Sequence, residues 1–153
     1  MWIAISFLIF LWIIWQFILG YPEPSAECEN LSAREQHLLA KSAEAFFPEG
    51  GALPSAAEAG VVQYLDKMFT QLPKQQQLLI RLLFVLIEHG PLIFGPFKGR
   101  TTRLSQEARI NYFRSWEESS IYFRRLAFLS LRSLVTIGYF SSQQVETALM
   151  SEK

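Results

Sequence analysis

An all-α bundle of five or six helices, carried on an N-terminal transmembrane helix, is the fold this sequence predicts. Three observations predict it. Two S-x-x-E capping boxes stand at Ser32–Glu35 and Ser55–Glu58, each the mark of a helix start. Apolar residues between Leu104 and Phe140 recur at helical spacing. Trp2 to Leu19 carries no charge, with Ser6 and Gln16 its polar exceptions.

The uncharged stretch comes first. Its eighteen residues span about 27 Å as a helix, close to the roughly 30 Å of bilayer hydrocarbon. Trp2, Trp12, Trp15 and Leu19 are the expected anchor residues, and tryptophan rings favour membrane interfaces. A cleaved signal peptide would need a basic start and a small-x-small site. Neither Lys nor Arg precedes Arg34, and Pro24-Ser25-Ala26 is a poor cleavage site. A buried soluble helix fits least, because the stretch is apolar on every side. The predicted division is an anchor over 1–20, a linker over 21–30 and a helical domain over 31–153.

Pro22 and Pro24 stop the anchor helix, and Glu23, Glu27 and Glu29 keep the linker solvated. A helix then opens at the first capping box, with Leu38, Leu39, Phe46 and Phe47 on its apolar side, and Pro48 ends it. The loop through Gly50–Gly51 precedes the second box, which should open a helix bearing Val61, Val62, Leu65, Met68 and Phe69. Two glycines before a helix can cradle phosphate. No Walker lysine and no strand accompany them here, so a helix-to-helix connection is the preferred reading.

Pro73 leads into a helix over about Lys74 to Glu88. Its run Leu78 to Ile87 is apolar nearly all round, which predicts the central helix of the bundle. Fifteen residues are too few for an untilted membrane span. His89-Gly90-Pro91 should end it. Leu92 to Arg103 reads as a loop whose Leu92, Ile93, Phe94 and Phe97 either meet a partner or membrane, or fold back on the bundle.

From Leu104 the pattern predicts two helices or one kinked helix. Ser105 is the N-cap and Glu107 suits the first-turn dipole. Ile110, Phe113 and Trp116 share a face; after a break at Ser119–Ser120 come Phe123, Leu126, Leu131 and Leu134. Gly138 reads as a C-terminal glycine. The tail from Ser142 adds a short helix through Val145 and Leu149.

The formal net charge is zero but unevenly spread. Tyr21 to Asp66 holds eight acidic residues against Arg34 and Lys41, while Lys98 to Arg132 holds eight basic residues against three acidic ones. The arginines alternate with large apolar residues and glutamates, which favours ion-paired helix faces or a protein-docking surface over nucleic acid. Glu117 and Glu118, being adjacent, point apart. They read as partners for Arg114 or Arg124.

Catalytic chemistry is hard to assemble from these residues. Cys28 is the single cysteine, which excludes an intrachain disulfide and a thiolate cluster. It reads as an incidental linker thiol. His37 and His89 fall on different helices without ligand spacing, and read as helix-terminal or surface groups. No G-x-G-x-x-G is present, so the chain carries no dinucleotide fold of that kind.

The run Leu104-Ser105-Gln106-Glu107-Ala108-Arg109, with Tyr112, Trp116, Ser119, the pair Arg124–Arg125, Phe128 and Gly138–Tyr139, resembles the gluconate 2-dehydrogenase subunit 3 family. Pro48, the glycine loop, Ala59-Gly60-Val61 and Tyr64-Leu65-Asp66 resemble its first half. The likeness runs from about Leu31 to Val145 and extends to the region preceding the flavin domain of long-chain fatty alcohol oxidases. It implies a non-catalytic small subunit that binds and membrane-tethers a flavin-dependent alcohol or sugar dehydrogenase or oxidase. That partner would be a glucose-methanol-choline type flavoprotein, holding the FAD and doing the hydride chemistry. The competing reading is a stand-alone membrane-anchored adaptor without an enzyme partner. The expected location is the cell inner membrane, single-pass. No twin-arginine signal is present, which favours the cytoplasmic face. Arg109 and Arg125 are candidates to clamp a partner carboxylate, although internal pairing is the preferred reading. Trp116 and Tyr139 are candidate interface anchors or core residues. Phe94 and Phe97 complete the expected docking set. No metal or catalytic residue is expected.

Overall fold

The computed structural model describes residues 5–12, 21–23, 28–94 and 99–151. Among them there is no strand, and the expected all-α fold stands. Residues 5–12 are helical, with every large apolar side chain from Ile5 to Trp12 outward-facing. Of the expected anchor residues, Trp12 lies in this stretch. Trp2, Trp15 and Leu19 lie outside the described residues, as does Phe97.

The domain proper consists of α1 (Ala33–Phe46), α2 (Val61–Gln71), α3 (Lys74–Phe94), a 3-10 turn (Thr101–Arg103), α4 (Gln106–Glu117), α5 (Tyr122–Phe140) and α6 (Gln143–Ser151). The first capping box forms as expected. Ser32 Oγ accepts from Glu35 N–H, and the Glu35 carboxylate accepts from Ser32 N–H at 2.8 Å. The second box also closes, between Ser55 and Glu58, but no long helix grows from it. Gly60 adopts a left-handed φ of 66°, which breaks the turn, so α2 begins at Val61.

The break at Ser119–Ser120 separates two helices rather than kinking one. Ser105 caps α4 through Ala108 N–H. Gly138 does not end α5, which runs on to Phe140. It is a packing notch instead: a Cβ there would lie 3.1 Å from Val61 Cγ1.

The centre of the bundle differs from the expectation. α5 packs against α1, α2, α3, α4 and α6, with Leu131 and Val135 wholly buried. α3 is an outer helix. Its Phe84 and Ile87 are core, but Leu78, Leu79 and Leu82 are 56–65% exposed. Central position goes to the helix that several neighbours can approach. α5 has Ala127 and Gly138 on its buried face, whereas α3 carries bulky residues on every side of its run from Leu78 to Ile87.

α3 is also longer than expected. It passes through His89-Gly90-Pro91 and ends at Phe94, 21 residues in all. By length and composition it could cross a membrane, yet its inner face belongs to the core. Proline at 91 removes the N–H that would bond Ile87 O. Two hydroxyls replace it: Thr101 Oγ1 donates to Ile87 O at 2.6 Å and Tyr112 Oη at 3.1 Å. Gly90 makes room for the second, since a Cβ there would lie 2.0 Å from Tyr112 Oη and 2.7 Å from Trp116. Helix continuation through a proline is thus supported from α4 and the 3-10 turn.

Candidate docking surface

Three polar ties hold the loops and so set the surface. At the first, Asp66 on α2 accepts from the N–H groups of Glu29, Asn30 and Leu31 and from Asn30 Nδ2. Burial works to raise its pKa, but these donors hold it below the ordinary aspartate value. The end of the linker is therefore folded down, with Cys28 and Leu31 buried. At the second, Arg81 Nη1 meets both Glu35 carboxylate oxygens at 2.8 Å, and Nη2 donates to Asn30 O. One glutamate thus caps α1 and pins α3.

The third tie is at Glu88, wholly buried in α3. It accepts from Tyr21 Oη at 2.9 Å, Thr102 Oγ1 at 2.6 Å and Thr102 N–H at 3.2 Å. Arg100, also wholly buried, lies 3.8 Å away with its guanidinium 4.2 Å from the Tyr21 ring centre. Burial pushes the Glu88 carboxyl above its ordinary value, against the pull of the Thr102 and Tyr21 donors. Burial, and then the Glu88 charge, push the Tyr21 phenol up to about 12. This node joins the segment that follows the N-terminal stretch to the body of the domain.

The expected docking residues divide. Arg109 is interior: its guanidinium donates to the carbonyls of Thr101, Lys41 and Leu104. A buried cation satisfied by carbonyls has no N–H turned outward for a partner carboxylate. Trp116 and Tyr139 are both 1% exposed, one against Tyr112 and Phe94, the other stacked on Phe47 and donating to Pro54 O. They are core residues. Arg125 is half-buried and donates to Ser119 O. Phe94 is exposed, with the Arg124 guanidinium 4.3 Å over its ring.

His89 is neither terminal nor superficial. It is buried within α3 with Nδ1 3.0 Å from Val85 O, and burial lowers its pKa. His37 is half-buried beside the Tyr21 ring. Glu117 pairs with Arg132 at 2.9 Å rather than with Arg114 or Arg124. Among the described residues no group of three or more His, Cys, Asp or Glu could hold a metal ion.

Along α5 the outward residues are largely apolar. Tyr122, Leu126, Leu129, Ile137 and Phe140 are 44–70% exposed. Their spacing of three, four and eight puts them on one stripe along α5. Beside the stripe lies a groove of about 460 Å³ between α4, α5 and the end of α1. Phe46, Phe113, Phe128 and Phe140 line it, with Arg114 and Arg132 among its polar residues. A smaller groove of about 360 Å³ runs along α1, where Ala33, Ala40 and Ala43 leave space.

Sequence reasoning missed the Asp66, Glu35–Arg81 and Glu88–Arg100 ties. A lone acid within an apolar helix, as Glu88 is in α3, is the signal that was present. Burying such a group requires donors nearby.

Fold and surface together define a small all-helical protein whose inner polar groups fasten its own loops and whose outer face is an apolar stripe. The chain belongs to the gluconate 2-dehydrogenase subunit 3 family, whose model matches residues 33–151. Comparisons with curated proteins and with solved structures give no match.

Proposed function

We propose that this chain is a non-catalytic small subunit that binds a flavin-dependent alcohol or sugar dehydrogenase, or an oxidase, and tethers it to the membrane. Membership over 33–151 in a family named for a subunit of gluconate 2-dehydrogenase is the observation that carries this reading. The partner is a glucose-methanol-choline type flavoprotein that holds FAD and performs the hydride transfer. The docking face is the α5 stripe with its phenylalanine-lined groove, flanked by Arg132 on α5 and Arg114 on α4. An apolar ridge bordered by carboxylates on the partner would fit it.

The tether is the segment 1–20, joined through residues 21–30 to the helical domain 31–153. Support comes from residues 5–12, which are helical, uncharged and apolar on their outer surface. The protein sits in the cell inner membrane with a single pass and its domain on the cytoplasmic face.

Co-expression with a glucose-methanol-choline type flavoprotein and purification in mild detergent through a tag on this chain tests the reading. A yellow complex with flavin in fixed ratio to the chain is the expected result. A colourless single species would instead mean a membrane adaptor without an enzyme partner.

A further inference from the structure

One end of the bundle differs from the rest. α3 and α5 run antiparallel: Arg124, at the start of α5, donates to Phe94 O at the end of α3, while Leu134, further along α5, shares a small cavity wall with Ile80 and Phe84. At the end marked by Phe94 and Arg124, apolar groups crowd outward. Ile93 is 65% exposed, Tyr122 70% and Phe123 60%. No acidic residue lies in α5, and Arg124 and Arg125 sit in its first turn.

The position of this end is fixed by Tyr21. That residue follows the uncharged N-terminal segment and is fastened to Glu88. Glu88 lies six residues before Phe94 on the same helix, about 9 Å along its axis. A segment that spans the bilayer and then ends at this node brings the Ile93–Phe123 end to the membrane surface.

Resting on the tether proposed above, we infer that this end of the bundle is a second membrane contact. Ile93, Phe94, Tyr122 and Phe123 lie in the headgroup layer, with Arg124 and Arg125 toward anionic phosphates. Aromatic tips and arginines are the residues that the interface accommodates. A headgroup layer is only roughly 5–8 Å deep per leaflet. The far end of α5, at Ser141, lies about 27 Å from Phe123 along the helix, so it remains in water. The contact fixes the tilt of the domain, which a single flexible tether would leave open, and turns the rest of the α5 stripe sideways toward a partner.

Fluorescent labels at cysteines replacing Phe10, Phe123 and Ser141, one at a time, test this in the full chain. Cys28→Ala supplies the background, and the native chain with its buried Cys28 serves if that variant loses helicity. The chain is reconstituted in phosphatidylcholine–phosphatidylglycerol bilayers containing a lipid with a nitroxide near the headgroup or, in a parallel sample, near the end of the acyl chain. The expected result is quenching at position 10 by the acyl-chain nitroxide and at position 123 by the headgroup nitroxide, each several-fold above that at 141. Quenching at 10 with position 123 no higher than 141 overturns the second contact and leaves the tether standing. A label at 123 shielded by added flavoprotein, and not by lipid, also overturns it. Quenching at none of the three removes tether and contact together.

Discussion

α3 and α5 are the two long helices of the domain, with 21 and 19 residues, and they exchange the roles their sequences suggest. α3 reads as the core because Leu78 to Ile87 is apolar nearly all round. α5 reads as one of the helices wrapped around it, with an apolar face and three arginines. In the structure α5 is the helix that the other helices share, and α3 leaves Leu78, Leu79 and Leu82 outside. Total hydrophobicity therefore does not decide which helix is central. What decides it is a buried face that neighbours can approach closely. On α5 that face includes Ala127 and Gly138, with Val61 against the latter. The arginines stand at its flanks, where a long side chain reaches a carbonyl or a carboxylate without entering the core.

The contrast is broken most directly by truncating one side chain on each helix. Leu131 on α5 is wholly buried, and Leu79 on α3 is 65% exposed. Leu131→Ala is expected to lower stability by about 2–5 kcal/mol. Leu79→Ala should change it by less than about 0.5 kcal/mol. Urea midpoints of both variants in one detergent check this. Equal losses would restore α3 as the centre.

A second contrast concerns the glycines that let each helix be approached. At Gly90 an added Cβ meets Tyr112 Oη at 2.0 Å and Trp116 at 2.7 Å, both on rings locked in the core. At Gly138 it meets Val61 Cγ1 at 3.1 Å and Val61 O at 3.4 Å, contacts far milder than those at Gly90. Alanine gains about 1 kcal/mol over glycine in a helix interior. Gly138→Ala should therefore be close to neutral. Gly90→Ala should lose about 1–3 kcal/mol through overpacking, because Tyr112 would also give up the Ile87 carbonyl it serves. Thermal melts of the two variants compare them. A Gly90→Ala chain as stable as Gly138→Ala would mean that Tyr112 is free to move.

Local signals were the legible part of this fold. Ser32, Ser55 and Ser105 each form the predicted side-chain contacts, because capping needs only residues three apart. The helix break at Ser119–Ser120 was equally local. The stop expected at Gly90–Pro91 failed for a distant reason: Thr101 and Tyr112 supply the donors the proline removes. The helix expected from Ser55 failed because Gly60 turns left-handed before it can grow. Among the candidate docking residues, spacing placed Trp116 and Tyr139 on apolar faces but could not say that those faces pointed inward. Arg109 was harder still. Three carbonyls, from the start of the 3-10 turn, the residue after it and α1, surround it, and no pattern in the sequence gathers them.

The smallest of these effects lies at the buried carboxyl of α3. Burial raises the Glu88 pKa in the folded state, so the folded chain holds its proton at pH values where the unfolded chain has lost it. Stability from this group is therefore fully present below the ordinary glutamate value and is lost as pH rises from there through the folded value. The histidines act with the opposite sign: burial lowers the pKa of both His37 and His89, so acidification below the ordinary histidine range favours unfolding. Whole-protein curves mix these slopes, and the comparison with Glu88→Gln separates them. That variant should show a flatter stability curve on the acidic side while keeping the histidine-dependent loss. α5 has no titratable acid in its length, so Leu131→Ala should shift the curve down without changing its shape. A Glu88→Gln curve parallel to that of the native chain would place the titrating group elsewhere and return Glu88 to an ordinary, fully ionised ion pair with Arg100.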